Sequence, residues 1–184
     1  NSSFKLNNLM QNIKTFYDKE KLFQQREAID IVLNIPPRSG ELELVSDEGR
    51  LEQVLTNLMS NALKFTEKGY VEFGYEVLKG YVEFYVKDTG IGIDPSKKDV
   101  IFDRYKQLDE SVSRSQAGTG LGLSISKGIV ELLGGKIWVE SVLDQGASFK
   151  FTIPHNPSRK SKQTENVELQ EESKSYPDWK NKVL

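Results

Sequence analysis

Two pairs of alternating segments constrain the fold of this chain more than any other sequence feature. Residues 70–77 and 81–87 alternate β-branched or aromatic side chains with polar ones, and residues 136–142 and 147–153 do the same. A short glycine-bearing turn joins the members of each pair, which predicts two β-hairpins. Antiparallel hairpins of this kind disfavour a parallel, doubly wound sheet.

Helical segments lie before and between the hairpins. Apolar residues recur at steps of three and four over residues 4–23, 48–65 and 120–133, which is typical of amphipathic helices. Asp47 is the predicted N-cap of the second helix, and the glycines at 134–135 end the third. Together with the hairpins, these helices predict an α/β (α+β) fold, a two-layer sandwich with a mixed β-sheet.

The remaining segments are shorter. Residues 28–35 alternate and predict a strand, and Leu42 and Leu44 indicate a second one. A short helical stretch is expected near 97–106. Residues 107–118 are polar and lack periodicity, so we predict a mobile loop there.

The composition excludes several classes of protein. The 184 residues contain 25 lysines and arginines against 27 acidic residues, a balance that argues against broad electrostatic binding to nucleic acid or to an anionic membrane. The absence of cysteine excludes a disulfide scaffold, a thiolate zinc site and a cysteine nucleophile. One histidine excludes a multi-histidine metal site, and the sequence has no run of about 18 apolar residues to span a membrane.

The composition changes after Pro154. Residues 1–154 are long enough for one domain, whereas residues 155–184 are rich in charge and poor in large apolar side chains, which is typical of a linker or tail. The chain begins without methionine and shows no signal peptide, so we interpret it as a piece of a longer protein. His155 is expected to be an exposed residue of the tail.

The first polar motif lies on the second predicted helix. Asn57, Asn61 and Lys64 occupy positions i, i+4 and i+7 and therefore share one helix face. Two carboxamides and an ammonium in this arrangement offer an oxygen ligand to Mg²⁺ and a cation to phosphate. A solvated polar face of an amphipathic helix is the alternative.

The second motif, Asp88-Thr-Gly90-Ile-Gly92-Ile93, directly follows a strand. Its glycines let the backbone approach a flat ligand closely, and the Asp88 carboxylate can accept a hydrogen bond from an exocyclic amine. A tight turn is the alternative here.

The third motif, Gly118-Thr119-Gly120-Leu121-Gly122-Leu123, opens a helix, and a helix N-terminus favours an anion. Its spacing fits neither the Rossmann nor the Walker pattern, and a flexible hinge is the alternative. Between the second and third motifs, Ile101-Phe102-Asp103-Arg104-Tyr105 supplies aromatic residues to pack the base of the loop 107–118.

The order of these motifs resembles the ATP-binding catalytic domain of bacterial sensor histidine kinases, over about residues 4–154. The resemblance extends to Arg50-Leu-Glu-Gln53, to Gly134-Gly135-Lys136 and to the closing Gly146-Ala-Ser-Phe149-Lys-Phe151-Thr-Ile-Pro154. It implies the Bergerat-type ATP fold, with helices on one face of the mixed sheet and ATP between the helix layer and a mobile lid.

The resemblance also implies roles for single residues. Asn61 corresponds to the Mg²⁺ ligand, and Asn57 and Lys64 correspond to phosphate contacts. Asp88 corresponds to the acceptor of the adenine amine, with Gly90, Gly92 and Ile93 around the adenine slot. The residues that would cover the triphosphate are Gly118, Thr119, Gly120, Leu121, Gly122 and Leu123.

One position departs from the family pattern. Many members carry arginine just after the aromatic residues, where it touches the γ-phosphate, whereas this chain has Gln107. Gln107 is a polar contact that cannot neutralise charge. The sequence Lys106-Gln-Leu-Asp109, together with Ser113-Arg114 ahead of the glycines, is more similar to hybrid kinases that carry a receiver domain.

The resemblance implies a domain that presents Mg-ATP so that the γ-phosphoryl group passes to a histidine on a separate dimerisation domain. That phosphoacceptor helix lies upstream of the domain in the family, so the chain is expected to start after it, to be monomeric and to hold no certain catalytic residue. Two alternatives are an ATP hydrolase of the same fold, like DNA gyrase or the heat-shock chaperone, and a non-catalytic nucleotide-binding module. The hydrolases use a glutamate four residues before the metal-binding asparagine, where this chain has Asn57, which cannot act as a general base.

The end of the chain suggests a further partner. The segment from Tyr176 to Leu184, with Trp179 followed by Lys-Asn-Lys-Val-Leu, resembles the lead-in to the first strand of a response-regulator receiver domain. A receiver domain in cis after Leu184 is therefore expected, and the alternative is that Trp179 packs back onto the kinase domain. A cytoplasmic location, with no contact to nucleic acid or membrane by this part, completes the expectations.

Overall fold

Residues 2–37, 42–98, 100–103 and 120–155 are described by the computed structural model. The described elements are, in chain order, β1 (Ser2–Lys5), α1 (Leu6–Phe23), β2 (Ile29–Asn34), β3 (Glu43–Ser46), α2 (Glu48–Phe65), β4 (Gly69–Leu78), β5 (Tyr81–Asp88), a 3₁₀ turn (Pro95–Lys97), α3 (Gly122–Leu132), β6 (Ile137–Val142) and β7 (Gly146–Pro154). No helix within these ranges is long and apolar enough to cross a membrane.

Five of the strands form one mixed sheet in the order β2-β4-β5-β7-β6. Strands β2 and β4 are parallel, and every other neighbouring pair is antiparallel. The two predicted hairpins, β4–β5 and β6–β7, are both present, and β5 and β7 join them at the centre of the sheet. The mixed α/β sandwich predicted from the sequence is confirmed.

The three helices cover one face of this sheet. Helix α1 packs on β2, α2 packs on β4 and β5, and α3 packs on β6 and β7. The core between the layers contains the stacked rings of Phe84 and Phe151, whose centroids are 4.9 Å apart. The opposite face is polar, with an ion pair of 2.8 Å between Lys150 and Glu140. Any site built from helix side chains therefore lies on the helical side.

Helix α2 lies at the centre of the helix layer, and its bounds match the prediction. Its N-terminus is capped by Asp47, whose Oδ1 accepts a hydrogen bond from the Arg50 amide at 3.0 Å. The end of α3 is also as predicted, because the amides of Gly134 and Gly135 bond back to the carbonyls of Glu131 and Val130 at 3.0 and 2.9 Å.

The structure corrects four local predictions. Phe4 belongs to a two-stranded sheet, opposite Leu44, and not to the first helix, because β3 offers its edge to β1. Phe16 is 55% exposed although it follows the apolar period of α1, because α2 and the sheet cover only part of the helix. Within the described part of the helix expected near 97–106, the chain forms a 3₁₀ turn at Pro95–Lys97 followed by hydrogen-bonded turns as far as Asp103, and residues 104–106 lie outside the described residues.

The fourth correction concerns His155. Its amide donates to the Gly80 carbonyl at 2.9 Å, so the residue continues the pairing of β7 with β5 and is half-buried. Burial lowers the pKa of its imidazole. The loop predicted over 107–118 and the tail from 156 onward lie outside the described residues.

Candidate functional site

Three segments meet on the helical side of the sheet. They are the second half of α2, the loop from Asp88 to Ile93 that follows β5, and the start of α3. The Ile91 amide donates to the Phe65 carbonyl at 3.3 Å, which joins the loop to the end of α2. The Asn57 side chain donates from Nδ2 to Ser126 Oγ at 2.8 Å, which joins α2 to α3. All three sequence motifs thus contribute residues to one surface.

Asp88 is a buried carboxylate at the end of the central strand β5. It is 5% exposed, and its Oδ1 accepts hydrogen bonds from the Gly90 amide at 2.8 Å and the Ala147 amide at 3.3 Å. Burial raises the pKa of Asp88, and the two amides partly oppose that rise. Both bonds fall on Oδ1, and no hydrogen bond within the described ranges reaches Oδ2. The carboxylate therefore keeps one oxygen for an outside donor.

The glycines after Asp88 are required by close backbone contacts. A Cβ on Gly90 would overlap the Phe65 carbonyl, and a Cβ on Gly92 would overlap the Val142 carbonyl. Gly92 also has a φ of 69°, a region that residues with a side chain rarely adopt. The loop is therefore pressed between the end of α2 and the β6–β7 hairpin.

Ile93, the last residue assigned to the adenine slot, lies at the end of this loop. Its side chain is 5% exposed and belongs to the core, and its amide donates to Ser141 Oγ at 2.9 Å. The same hydroxyl donates to the Gly146 carbonyl at 2.7 Å. Ile93 thus fixes the end of the loop to β6 and β7 through the Ser141 hydroxyl.

The polar face of α2 is the second part of the site. Asn57, Asn61 and Lys64 are each half-buried on this helix. The Lys64 ammonium lies 4.9 Å from the centroid of the Phe65 ring, a favourable cation–π contact. The face therefore offers carboxamide oxygens and one cation beside the Asp88 loop.

The polar face of α2 suits a magnesium ion only if a bound polyphosphate supplies further oxygen ligands. The described residues contain no group of three acidic or histidine side chains that could hold a metal. The Asn61 carboxamide oxygen is a hard ligand of the type that Mg²⁺ accepts, and Mg²⁺ is commonly held by few protein groups together with substrate phosphates. The donor set fits an ion that arrives with a polyphosphate.

The start of α3 is the third part. Gly120 has a φ of 68°, Leu121 is the N-cap residue, and Gly122 is the first residue of the helix. Leu123 is half-buried and packs against the core. Three further predicted residues, Gln107, Gly118 and Thr119, lie outside the described residues.

The sequence analysis missed two contributors to the site. Ala147 contributes only its amide to Asp88, so its side chain carried no signal, although the motif around it was recognised. Ser126 is 1% exposed and shares the buried side of α3 with Ile129 and Val130. A small polar residue at a buried helical position is a signal that could have identified it, because buried hydroxyls need partners.

The comparisons with known proteins agree with this geometry. The family described as histidine kinase-, DNA gyrase B-, and HSP90-like ATPase matches residues 46–157. The chain is 40% identical over 146 residues to the circadian input-output histidine kinase CikA of Synechococcus elongatus, an alignment that includes 78% of this chain. The chain spans only about a fifth (19%) of the length of that relative.

Solved structures of histidine kinases share the fold. The catalytic domain of histidine kinase ThkA superposes with a TM-score of 0.71 and 31% identity, over 85% of this chain and 97% of that domain. Full-length ShkA in complex with AMPPNP superposes with a TM-score of 0.73 and 31% identity, over 84% of this chain and 31% of that protein. The chain therefore belongs to the histidine kinase-, DNA gyrase B- and HSP90-like ATPase family, and within it to the catalytic domains of histidine kinases.

Proposed function

We propose that this chain binds Mg-ATP in the surface formed by α2, the Asp88 loop and α3, and presents the γ-phosphoryl group for transfer to a histidine on a separate dimerisation domain. The observation that carries the proposal is the Asp88 carboxylate. It is buried, its Oδ1 is held by two amides, its Oδ2 forms no hydrogen bond within the described ranges, and it lies beside a face of carboxamides and an ammonium. The similarity to ShkA, whose structure contains AMPPNP, supports it.

The proposed roles follow the chemistry of the residues. Asp88 accepts a hydrogen bond from the exocyclic amine of adenine, and Gly90 and Gly92 let the base lie against the backbone. Lys64 and Asn57 contact the phosphates, and Asn61 is the protein ligand of Mg²⁺. The residues assigned to cover the triphosphate are Gln107, Gly118, Thr119, Gly120, Leu121, Gly122 and Leu123.

Catalysis in such a domain consists of positioning and neutralisation of charge. Magnesium, when bound with the nucleotide, neutralises charge on the phosphates, and the chain orients them with Lys64 and the start of α3. ATP hydrolysis is disfavoured, because the place of a general base, four residues before Asn61, is held by the carboxamide of Asn57.

A surface beside the phosphate end supports docking of another helix. On α3, Ile125 is 47% exposed and Leu132 is 69% exposed, and a Cβ on Gly128 between them would meet open space. These residues lie at i, i+3 and i+7, so they share one side of the helix. We propose that the phosphoacceptor helix of the dimerisation domain packs here.

The remaining parts of the proposal concern the parent protein. Residues 1–154 form the catalytic domain, and residues 155–184 form a linker toward a receiver domain of a response regulator, in cis. The domain works on the cytoplasmic side, where ATP is supplied, and this chain is monomeric. Light scattering of the chain at micromolar concentration tests the last point, and a stable dimer would contradict it.

Titration calorimetry with AMPPNP, with and without Mg²⁺, tests nucleotide binding. Phosphotransfer is tested by incubating the chain with ATP and the separately purified dimerisation domain of the parent protein, with detection of acid-labile phosphate. We expect binding that Mg²⁺ strengthens and phosphate only on the added domain. The proposal fails if millimolar nucleotide gives no binding, or if the chain alone turns over ATP continuously.

A further inference from the structure

The carboxamide of Asn57 lies against α3, with one hydrogen bond to Ser126 and a close approach to Gly122. Its Nδ2 donates to Ser126 Oγ at 2.8 Å. Its Oδ1 faces Gly122, where a Cβ would overlap it, so that no residue larger than glycine fits with this orientation of the amide. The Ser126 hydroxyl therefore orients the Asn57 amide, and glycine at position 122 leaves the space that this orientation needs.

Ser126 and Gly122 are one helical turn apart, so they lie on the same side of α3. Ser126 is 1% exposed in the contact between α2 and α3. Its hydroxyl is 69 positions away from Asn57 in the sequence, so this bond forms only when the two helices are packed together. Breaking it leaves a part-buried amide donor without its partner.

We propose that Ser126 is a positioning residue for nucleotide binding that acts through Asn57. The pair holds the first turn of α3 against α2, so that the Asn57 amide and the glycines at the start of α3 stay in one arrangement toward the phosphates. This inference rests on the proposed function, from which it takes the location of the phosphates.

Loss of the Ser126 hydroxyl should affect one end of the site more than the other. Asp88 is held by the amides of Gly90 and Ala147, and none of these contacts involves α3. The Asn57 amide and the start of α3 lose their common constraint. Ser126→Ala should therefore weaken binding of a nucleoside triphosphate more than binding of a diphosphate.

The first experiment measures the affinities of Mg-AMPPNP and Mg-ADP for wild type, Ser126→Ala and Ser126→Thr by calorimetry. We expect roughly a three- to tenfold loss for AMPPNP in Ser126→Ala, the range for one hydrogen bond, a smaller loss for ADP, and recovery in Ser126→Thr. The matched control is Ser46→Ala, a buried serine on the separate sheet of β1 and β3. It is expected to lower the melting temperature without changing the ratio of the two affinities.

The second experiment tests whether Ser126 acts through Asn57. In an Asn57→Ala background, Ser126→Ala should cause no further loss of AMPPNP affinity, because the bond is already absent. Gly122→Ala should weaken AMPPNP binding in the wild-type background, where its methyl group displaces the carboxamide, and should have little effect in Asn57→Ala.

Several outcomes overturn the inference while the proposed function stands. The first is that Ser126→Ala binds AMPPNP like the wild type, with an unchanged ratio of AMPPNP to ADP affinity. The second is that the losses of AMPPNP affinity in Asn57→Ala and Ser126→Ala add up in the double variant. The third is that Gly122→Ala weakens AMPPNP binding even when the Asn57 side chain is absent. Absence of AMPPNP binding by the wild type overturns the proposed function itself, and the inference with it.

Discussion

The proposed adenine end of the site (Asp88 to Ile93 with Ala147) is held mainly by backbone contacts, whereas the proposed phosphate end (Asn57, Asn61, Lys64 and the start of α3) is built from side chains on two helices. At the adenine end, two amides hold Asp88 and two glycines approach neighbouring carbonyls. At the phosphate end, a hydrogen bond from the Asn57 amide to the Ser126 hydroxyl links the side chains of α2 and α3.

This difference has a physical consequence. Backbone contacts are fixed by the register of β5, β6 and β7, so the adenine end cannot adjust without a shift of the sheet. Side chains on packed helices can rotate, and their arrangement depends on how α2 and α3 contact each other. Substitutions should therefore cause larger effects at the adenine end than at the phosphate end.

The largest effect is expected from Asp88→Asn. The variant keeps an acceptor for the two amides but presents the base with an altered, uncharged partner. Loss of a buried charged partner costs about 1–3 kcal/mol or more, which corresponds to a drop in nucleotide affinity of roughly ten- to a hundredfold. Calorimetry with ADP measures it, and Asp30→Asn, an exposed carboxylate on β2, is the control. Unchanged affinity in Asp88→Asn would remove this residue from the site.

Gly92→Ala tests whether the adenine end is as rigid as the contacts indicate. We expect a loss of about 1–3 kcal/mol in the free energy of unfolding, because the methyl group adds backbone strain and overlaps the Val142 carbonyl. The control, Gly80→Ala, also has a positive φ (89°), but its Cβ meets nothing within 4 Å. Denaturant unfolding should show the larger loss for Gly92→Ala, and equal losses would mean that the Val142 contact is unimportant.

Asn61→Ala sharpens the comparison at the phosphate end. Removal of one oxygen ligand should reduce the gain in AMPPNP affinity that Mg²⁺ provides by roughly three- to tenfold and leave metal-free binding nearly unchanged. Ser60→Ala, an exposed neighbour on α2, serves as the control. A Mg²⁺ dependence equal to that of the wild type would place the metal ligand elsewhere.

The smallest effect is a pH dependence of stability at Asp88. Burial raises the pKa of this carboxyl in the folded state above the unfolded value of about 4. At a pH between the unfolded and the folded pKa, Asp88 is protonated to a greater extent in the folded protein than in the unfolded chain. The free energy of unfolding therefore falls as the pH rises through that window. Asp88→Asn has no carboxyl at this position and lacks this pH dependence. Its free energy of unfolding relative to the wild type should therefore rise over the same window and then level off. A difference that is independent of pH would contradict the raised pKa.

Local sequence patterns were sufficient for most of the elements. The alternation over 70–87 and 136–153 predicted both hairpins, and the apolar period from Glu48 with the Asp47 cap predicted α2. These signals arise between residues that are close together in the sequence. The predictions that failed depended on partners far away in the sequence. Phe4 is in a strand because β3 lies beside it, and Phe16 is exposed because none of the described elements covers that side of α1.

The same division applies to the site. The sequence by itself determined which residue types are present and their order, and hence the predicted family, because the motifs at Asn57, Asp88 and Gly118 are contiguous. Only the tertiary structure decided that the Ala147 amide completes the partners of Asp88, that the Ile93 side chain belongs to the core, and that Ser126 holds Asn57. The two hydrogen bonds join residues 59 and 69 positions apart, and the distance between such residues is set by the packing of helices on the sheet, which no local pattern records.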